Sequence, residues 1–293
     1  MTIYPLVIKL GFIEITGYGI MMMVGFLTGG WLIQLELQRR GLNEEYAADI
    51  TLAAAIGGIL GAKLWYAALT HDLGTLFSRS GLVWYGGFLG GSAAVLLNGW
   101  RRRVPMRWTM QLVAPSLAAA YALGRVGCFM VNDDYGRPTS VPWAMKFPQG
   151  SPASTAQNLA IQFGIPVPPG VDPSTVMAVH PTQLYEVAAM LVAFALLWTW
   201  RTRTHGTGWL FGAYLTMAGV ERFLVEILRA KDDRFFGPFT IAQVTSVGLV
   251  LVGTALLIKF DPGPELSPGP YLLPPPETPG KKQRPVNSGR AGP

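Results

Sequence analysis

Charged side chains lie where one of the apolar stretches of this chain ends. The segment GRVGCFMVNDDYGRPT, residues 124–139, follows the apolar run QLVAPSLAAAYAL and contains Arg125, Asp133, Asp134 and Arg137. A charged group at membrane depth costs about 3 kcal/mol on insertion scales, so such groups face a cavity or one another. Guanidinium groups bind carboxylates and phosphates through paired hydrogen bonds. The segment therefore predicts a polar site at the end of a helix.

A second charged segment, GVERFLVEILRAKDD, covers residues 219–233. Arg222 and Glu226 are four residues apart and share one helix face, with Arg229 one turn further on. In a purely structural interpretation, Glu226 neutralises Arg222. Arg125, however, has no carboxylate one turn away on its own helix. Two arginines with few local partners favour an anionic ligand.

The acidic pair beside Arg125 has two interpretations. Asp133 and Asp134 could bind a metal ion, but no further Asp, Glu or His lies at a suitable spacing nearby. We expect instead that one carboxylate orients Arg125 or Arg137 and that the other is solvated, with no metal and no organic cofactor. Cys128, the single cysteine, excludes an internal disulfide. It is either a small buried apolar residue or a nucleophile.

Three further polar residues lie near the ends of spans, and each could either be structural or belong to a site. Tyr18 lies inside the first apolar segment and either packs between helices or lines a polar cavity. His180 precedes a proline suited to the first turn of a helix, so it is either a structural anchor or a proton-transfer group. Glu186, one turn inside that helix, is a candidate partner for an arginine.

Glycines four residues apart recur in the apolar segments, which predicts close helix packing. In WYGGFLGG, residues 84–91, Gly86 and Gly87 could in addition expose backbone amides beside Tyr85. As a phosphate-binding loop this signal is weak, because no Lys-Ser/Thr pair follows it.

The elements that carry these residues are membrane spans. Half of the 293 residues are hydrophobic and 14% are charged, which is unusual for a soluble domain. About 20 apolar residues cross a bilayer, and seven segments approach that length: 14–34, 50–70, 82–100, 109–130, 182–200, 208–229 and 239–259. The expected fold is an all-α polytopic membrane protein with a transmembrane domain over residues 1–260. The first segment lacks the pattern of a cleaved signal peptide, so we expect it to be retained.

Lysine and arginine near the span ends predict the orientation. Thirteen of them lie on one side, in the loops after spans one, three and five and in the tail, and six lie on the other. The amino terminus and the 131–180 loop subdomain should therefore face outward, and residues 261–293, with ten prolines, should form a disordered cytoplasmic tail. The net charge of +6 is spread over short loops, which favours a membrane with anionic lipids and disfavours nucleic acid.

At this point the sequence resembles a family, the bacterial phosphatidylglycerol–prolipoprotein diacylglyceryl transferases, over nearly all of residues 10–260. Supporting motifs are TGYG, GGILGAKLWY, YGGFLGG, HPTQLYE and G-x-x-R-F-x-x-E-x-x-R. The most specific motif resembles the family signature G-R-x-G-N-F-x-N-x-E-x-x-G. Its matching positions are Gly124, Arg125, Gly127, Phe129 and Gly136, with Asp133 at the acidic position.

The chain departs from the family pattern at four positions. Cys128 and Val131 replace asparagines, Ala218 stands where a tyrosine is common, and Tyr85 stands where many members carry a histidine. The histidine is regarded as important in the family, so the Tyr85 difference leaves the general base unidentified. A neutral phenol is a weak base at neutral pH, so we expect Tyr85 to orient the substrate thiol.

The resemblance implies transfer of an sn-1,2-diacylglyceryl group from phosphatidylglycerol to the lipobox cysteine of a preprolipoprotein in the bacterial inner membrane. It implies that Arg125 holds the lipid head group and that Arg222 stabilises the departing phosphate. Tyr85 completes the expected catalytic set. The expected substrate-binding residues are Arg125, Tyr18, Asp133, Gly136, Glu226, Gly86, Gly87, His180 and Glu186.

Three other activities are compatible with parts of the sequence. An anion or lipid transporter would also contain buried arginines, but no clear internal repeat pairs the two halves of the chain. An intramembrane protease could use Ser92 with His180, although GGSAAV is a poor context for a nucleophile. A metal-dependent phosphatidyltransferase requires aspartates clustered on facing helices, which this chain lacks.

Overall fold

The computed structural model describes residues 1–11, 13–77, 81, 83–231, 234–261 and 263–273. In this part of the chain, eight α-helices and two small hairpins form. The helices are α1 Gly17–Arg39, α2 Glu45–Thr70, α3 Trp84–Arg101, α4 Met106–Val131, α5 Ala156–Ile161, α6 Thr182–Trp200, α7 Trp209–Leu228 and α8 Ile241–Phe260. The hairpins pair β1 Val7–Leu10 with β2 Ile13–Thr16, and β3 Arg234–Phe236 with β4 Phe239–Thr240, both antiparallel.

The expected polytopic all-α fold is confirmed. All seven predicted spans correspond to helices of 18 to 26 residues. Five of them, α1, α2, α4, α6 and α8, are long and apolar enough to cross a membrane. Seven crossings stay a prediction, because α3 and α7 are not among these five. Helix α2 begins at Glu45, five residues before the predicted span, since its polar first turn lies outside the apolar window.

Capping residues define the helix ends nearest to the polar segments. Thr16 accepts a hydrogen bond from Gly19 N–H (3.2 Å) at the start of α1. Thr240 and Gln243 form a capping box that begins α8. Helix α4 ends at Asn132, which adopts a left-handed conformation with φ 60°. These caps fix the register of the helices that carry the charged residues.

The connections between the long helices lie at two opposite ends of the bundle. We call one end the loop face: in the described part of the chain it contains β1–β2 and residues 132–181, 229–231 and 234–240. There, Ile3 N–H donates to Lys146 C=O (2.9 Å) and Leu6 N–H to Met130 C=O (2.7 Å). The other end, the tail face, joins the turns after α1, α3 and α6 to the segment after α8. This alternation is what seven consecutive antiparallel helices require.

The loop between α4 and α6 has a hydrophobic core of its own. Tyr135, Phe147, Leu159 and Val179 are buried together with Ala230, which follows α7. Tyr135 stacks on Phe147 with ring centroids 5.5 Å apart. A compact subdomain therefore covers the loop-face ends of α4, α6 and α7, while its predicted outward orientation remains untested.

Helices α2 and α3 cross at backbone contact. A Cβ atom added at Gly61 would lie 2.3 Å from Gly86 O, and one added at Gly90 would lie 2.4 Å from Gly57 O. No side chain fits into such a contact, so the predicted small-residue packing is what brings α3 onto α2.

The prediction of a disordered tail from residue 261 is wrong for residues 263–273, which pack on the tail face. We call this segment the strap. Trp108 Nε1–H donates to Leu266 C=O (2.9 Å), Asn43 N–H donates to Leu272 C=O (2.9 Å), and Tyr271 O–H donates to Asp49 (2.8 Å). Proline content indicated disorder, but a few apolar side chains suffice to anchor the segment. Residues 274–293 lie outside the described residues.

Leu272 makes the strap testable, because its side chain is fully buried among residues of α1, α2 and α4. Leu272→Ala should lower the free energy of unfolding by roughly 2–5 kcal/mol, the range for a buried leucine. Leu273→Ala is the matched control, since Leu273 is 48% exposed. Thermal unfolding in detergent would measure both, and equal melting temperatures would contradict the packing described here.

Candidate active site

The two charged segments meet at the loop-face ends of three helices. Arg125 lies two turns before the end of α4, Glu186 lies one turn inside α6, and Arg222, Glu226 and Arg229 lie along the last turns of α7 and just after it. Helices α4, α6 and α7 pack against one another. The bundle therefore concentrates these charges in one place, which we call the arginine cluster.

Arg125 is held by a carboxylate on the neighbouring helix. Its Nη2 donates to Glu186 Oε1 (3.1 Å), and its Nε forms an ion pair with Glu186 Oε2. Tyr121 O–H donates to the same Oε2 atom (2.9 Å). Because Glu186 is almost fully buried, breaking this pair would leave an uncompensated charge in the interior. Glu186 thus pairs with an arginine, and Arg125, which has no carboxylate one turn away on its own helix, finds this partner on α6.

Asp134 joins two arginines. Its Oδ2 accepts a hydrogen bond from Arg125 Nη1 (2.9 Å), and its Oδ1 pairs with Arg229 Nη2. Burial by itself would raise the pKa of Asp134, but the positive charges of Arg229 and Arg125 more than offset this and hold the pKa below its ordinary value. Asp134 is therefore the carboxylate of the acidic pair that orients Arg125.

Arg222 has one N–H donor that no described residue accepts. Its Nη2 forms an ion pair with Glu226 Oε2 (2.6 Å), and Glu226 Oε1 accepts from Thr240 O–H (3.0 Å). Its Nη1 is buried without a hydrogen-bond partner among the described residues. Buried donors nearly always have a partner, so this N–H group is suited to a ligand acceptor.

Asp133 is partly exposed, and no ion pair joins it to an arginine in the described part of the chain. Its Oδ1 is buried and has no hydrogen-bond partner in the described part of the chain. Burial and then the negative charge of Asp134 raise the pKa of Asp133 to about 6. A carboxyl group of this kind changes charge near neutral pH.

A pH-dependent stability follows from that raised pKa. The folded protein binds a proton at Asp133 more tightly than the unfolded chain does, so this residue costs stability as the pH rises from 3.8 to about 6. Asp133→Asn removes the cost. The melting temperature of the variant relative to the wild type should therefore rise over this window and level off above it. A difference that stays constant from pH 4 to pH 8 would contradict the assignment.

Cys128 lies beside the acidic pair. Cys128, Asp133 and Asp134 bring potential metal ligands within 4.8 Å of one another, a grouping that the sequence analysis did not identify. Arg125 Nη1, however, lies 3.2 Å from Cys128 Sγ, and both Asp134 oxygens accept from arginines. The positive charges of Arg125 and Arg229 oppose a cation at this position.

Three of the predicted binding residues surround the cluster without joining its ion pairs. Tyr18 lies against the backbone of α4 at Gly127. Gly136 has no room for a side chain, since a Cβ atom would lie 2.5 Å from Leu228 O, and its N–H donates to His180 C=O (2.8 Å). The His180 ring contacts Tyr185 O–H (3.1 Å), and burial lowers the pKa of His180. Gly136 and His180 therefore join the loop subdomain to the ends of α6 and α7.

The structure does not place Tyr85, Gly86 or Gly87 in the arginine cluster. Tyr85 is 53% exposed and contacts the Trp84 ring, and no hydrogen bond within the described residues joins it to the cluster. Gly86 and Gly87 are helical, and Gly87 N–H donates to Val83 C=O (3.0 Å). The N–H group of Gly87 is therefore not exposed to a ligand, because α3 begins at Trp84 and this donor already belongs to the hydrogen bonds of the helix.

Sequence reasoning missed several members of the cluster: Tyr121, Asp134 as a bridge, Glu221 and Thr240. Asp134 carried a partial signal, as one of two candidate carboxylates for Arg125, but its bridge to Arg229, 95 residues away, carried none. Thr240 carried no signal. Glu221 carried one, since it is a carboxylate inside an apolar span. It is buried, and its Oε1 has no hydrogen-bond partner among the described residues.

Comparison with known proteins identifies the family. A family model described as prolipoprotein diacylglyceryl transferase matches residues 5–259. Three relatives carry the name phosphatidylglycerol–prolipoprotein diacylglyceryl transferase. The Clostridium tetani protein is 31% identical over 261 residues, or 85% of this chain and 94% of the relative. Those of Shewanella sp. strain MR-4 and Nitratidesulfovibrio vulgaris strain Hildenborough are each 30% identical, over 87% and 86% of this chain and 95% and 93% of the relatives. The chain belongs to the prolipoprotein diacylglyceryl transferase family.

Proposed function

We propose that this membrane protein transfers the sn-1,2-diacylglyceryl group of phosphatidylglycerol to the lipobox cysteine thiol of a preprolipoprotein. The carbon–oxygen bond between the diacylglyceryl carbon and the phosphate breaks, and a carbon–sulfur bond forms. The phosphate oxygen keeps the electron pair and leaves as glycerol phosphate, while the thiol loses its proton. The observation that carries this proposal is the buried arginine cluster, in which one N–H group of Arg222 has no partner within the described part of the chain.

The arginines supply the positive charge that this reaction needs. The leaving phosphate gains negative charge in the transition state, and donors already aimed at such charge lower the barrier. We assign the departing phosphate to Arg222 and the lipid head group to Arg125. Glu226 positions Arg222, because it pairs with Nη2 (2.6 Å) and leaves Nη1 available. Tyr18, beside α4 at the same end of the bundle, is assigned to the head group or the peptide.

The thiol must also lose its proton, because the thiolate is the nucleophile. We assign Tyr85 to orienting the thiol from the exposed start of α3, in contact with the peptide when it binds. The protein group that accepts the proton is left unassigned. If Tyr85→Phe kept full transfer activity, Tyr85 would not orient the thiol.

Both substrates are embedded in the membrane, so we infer a site that is open to lipid. The tail face carries most of the basic residues near the span ends. By the positive-inside rule it faces the cytoplasm. The loop face and the arginine cluster then face outward in the inner membrane of a bacterium, where exported preprolipoproteins arrive.

A mass-shift assay tests the proposed function. Purified protein, phosphatidylglycerol and a lipobox peptide should yield a peptide heavier by one diacylglyceryl group, together with free glycerol phosphate. A peptide with serine in place of the cysteine, and phosphatidylcholine in place of the donor, are the controls and should give no product. Folded protein that modifies no peptide with any of several anionic donors would overturn the proposal.

A further inference from the structure

The acidic pair after α4 is used differently from what the family signature leads one to expect. The signature places its acid at position 133, and Asp134 falls at an unspecified position. Yet both oxygens of Asp134 pair with arginines, and no ion pair joins Asp133 to an arginine in the described part of the chain. We propose that Asp134 is a positioning residue that orients Arg125 and Arg229 for the transfer reaction. This inference rests on the proposed function.

The bridge joins two helices through one carboxylate. Arg125 belongs to α4, and Arg229 directly follows α7; each side chain is 11% exposed. Glu186, on α6, lies on the other side of the same two arginines, 3.1 Å from Arg125 Nη2 and 4.0 Å from Arg229 Nη1. Each guanidinium group is therefore held between two carboxylates and has one defined orientation.

The backbone holds Asp134 in place. Its φ of 58° lies in the left-handed region, which few residues other than glycine adopt. Thr182 O–H donates to Asp134 C=O (2.7 Å), and Ala230 N–H donates to the C=O of the next residue, Tyr135 (3.3 Å). These bonds fix the turn to the start of α6 and to the segment after α7, so the carboxylate is presented by a rigid turn.

The bridge also reaches Arg222, the residue assigned to the leaving phosphate. Arg229 Nε lies 3.9 Å from Glu226 Oε2, the same oxygen that pairs with Arg222 Nη2. When Asp134 loses its charge, Arg229 keeps, among the described residues, only the distant Glu186 and the shared Glu226 as acidic partners. Glu226 is then drawn toward Arg229 and away from Arg222, which changes the direction of the free N–H group.

Asp134→Asn tests this role, because it keeps the shape of the side chain and removes the charge. In the transfer assay, kcat should fall at least tenfold while KM for phosphatidylglycerol changes less than threefold. Asp133→Asn should lower kcat less than Asp134→Asn does. The combined loss in Asp134→Asn/Arg229→Gln should be smaller than the product of the single losses, since the two residues act as a pair. Glu14→Gln, in the exposed β1–β2 hairpin, is the control for normal activity.

A purely structural role predicts other results. The melting temperature would fall while kcat per folded molecule stayed at the wild-type value, and this outcome would overturn the proposal. A larger loss of kcat in Asp133→Asn than in Asp134→Asn would overturn it as well, and so would independent, multiplicative losses in the double variant.

Alkylation of Cys128 gives a readout that does not require transfer activity. Arg125 Nη1 contacts both Asp134 and the thiol of Cys128, the single cysteine. Asp134→Asn should raise the rate of modification by N-ethylmaleimide at least threefold above that in Asp133→Asn, which removes a neighbouring charge without releasing an arginine. Equal rates in the two variants would overturn the positioning role. Wild-type protein without transfer activity would instead overturn the proposed function, so the two failures are distinguishable.

Discussion

Arg222→Gln should reduce diacylglyceryl transfer at least 100-fold while the protein stays folded. The variant removes the buried Nη1 of Arg222, which has no hydrogen-bond partner among the described residues, and it also removes the ion pair between Nη2 and Glu226. In the proposed reaction, Nη1 meets the phosphate as it gains charge. Removing one donor of this kind typically costs about 10²–10³ in rate. The rate of glycerol phosphate release in the mass-shift assay would measure the loss.

Two further variants make this result interpretable. Arg203→Gln removes an exposed arginine on the tail face and should keep wild-type activity. Arg222→Lys retains the charge but cannot form two parallel hydrogen bonds to a phosphate. Its transfer activity should therefore lie between those of Arg222→Gln and the wild type. Arg222→Gln with near-normal activity would show that the leaving phosphate is stabilised elsewhere in the cluster.

Gly61→Ala should prevent α2 and α3 from packing. The added methyl group would lie 2.3 Å from Gly86 O and 2.8 Å from Gly90 Cα. These are backbone atoms, so the helices themselves must separate. Overpacking in a well-packed core costs about 1–3 kcal/mol even when side chains can move, and here the penalty should exceed that range. The yield of monodisperse protein and its melting temperature would report the effect.

Gly248→Ala is the matched control for that experiment. Gly248 also lies within a membrane helix, α8, but a Cβ atom there meets nothing within 4 Å. Replacing glycine by alanine inside a helix stabilises it by roughly 0.5–1 kcal/mol when no contact opposes the change. Gly248→Ala should therefore equal or exceed the wild type in stability. Similar melting temperatures for Gly61→Ala and Gly248→Ala would mean that the α2–α3 crossing is looser than described.

The sequence predicted the helices well because their signals are local. Apolar length located all seven long helices, and the four-residue spacing of Arg222 and Glu226 predicted that they share a helix face. Charge inside an apolar segment also identified Arg125 and Glu186 as residues that need partners. These inferences used only neighbouring residues and the cost of charge in a membrane.

The sequence could not assign the partners, because the pairing is a property of the packed bundle. Arg125 finds its carboxylates 9 and 61 residues away, and nothing in the local pattern distinguishes Asp134 from Asp133. Tyr85 stays a prediction. Its place in the YGGFLGG motif indicated a site residue, while the glycines beside it pack α3 on α2 and the phenol is exposed.

The strap has a practical consequence for making this protein. The family model ends at residue 259, so a version trimmed to the family boundary would lack Leu272 and open the pocket among α1, α2 and α4 that this side chain fills. An affinity tag inserted between residues 260 and 273 would do the same. Fusions and crystallisation variants should therefore begin their changes after Leu273.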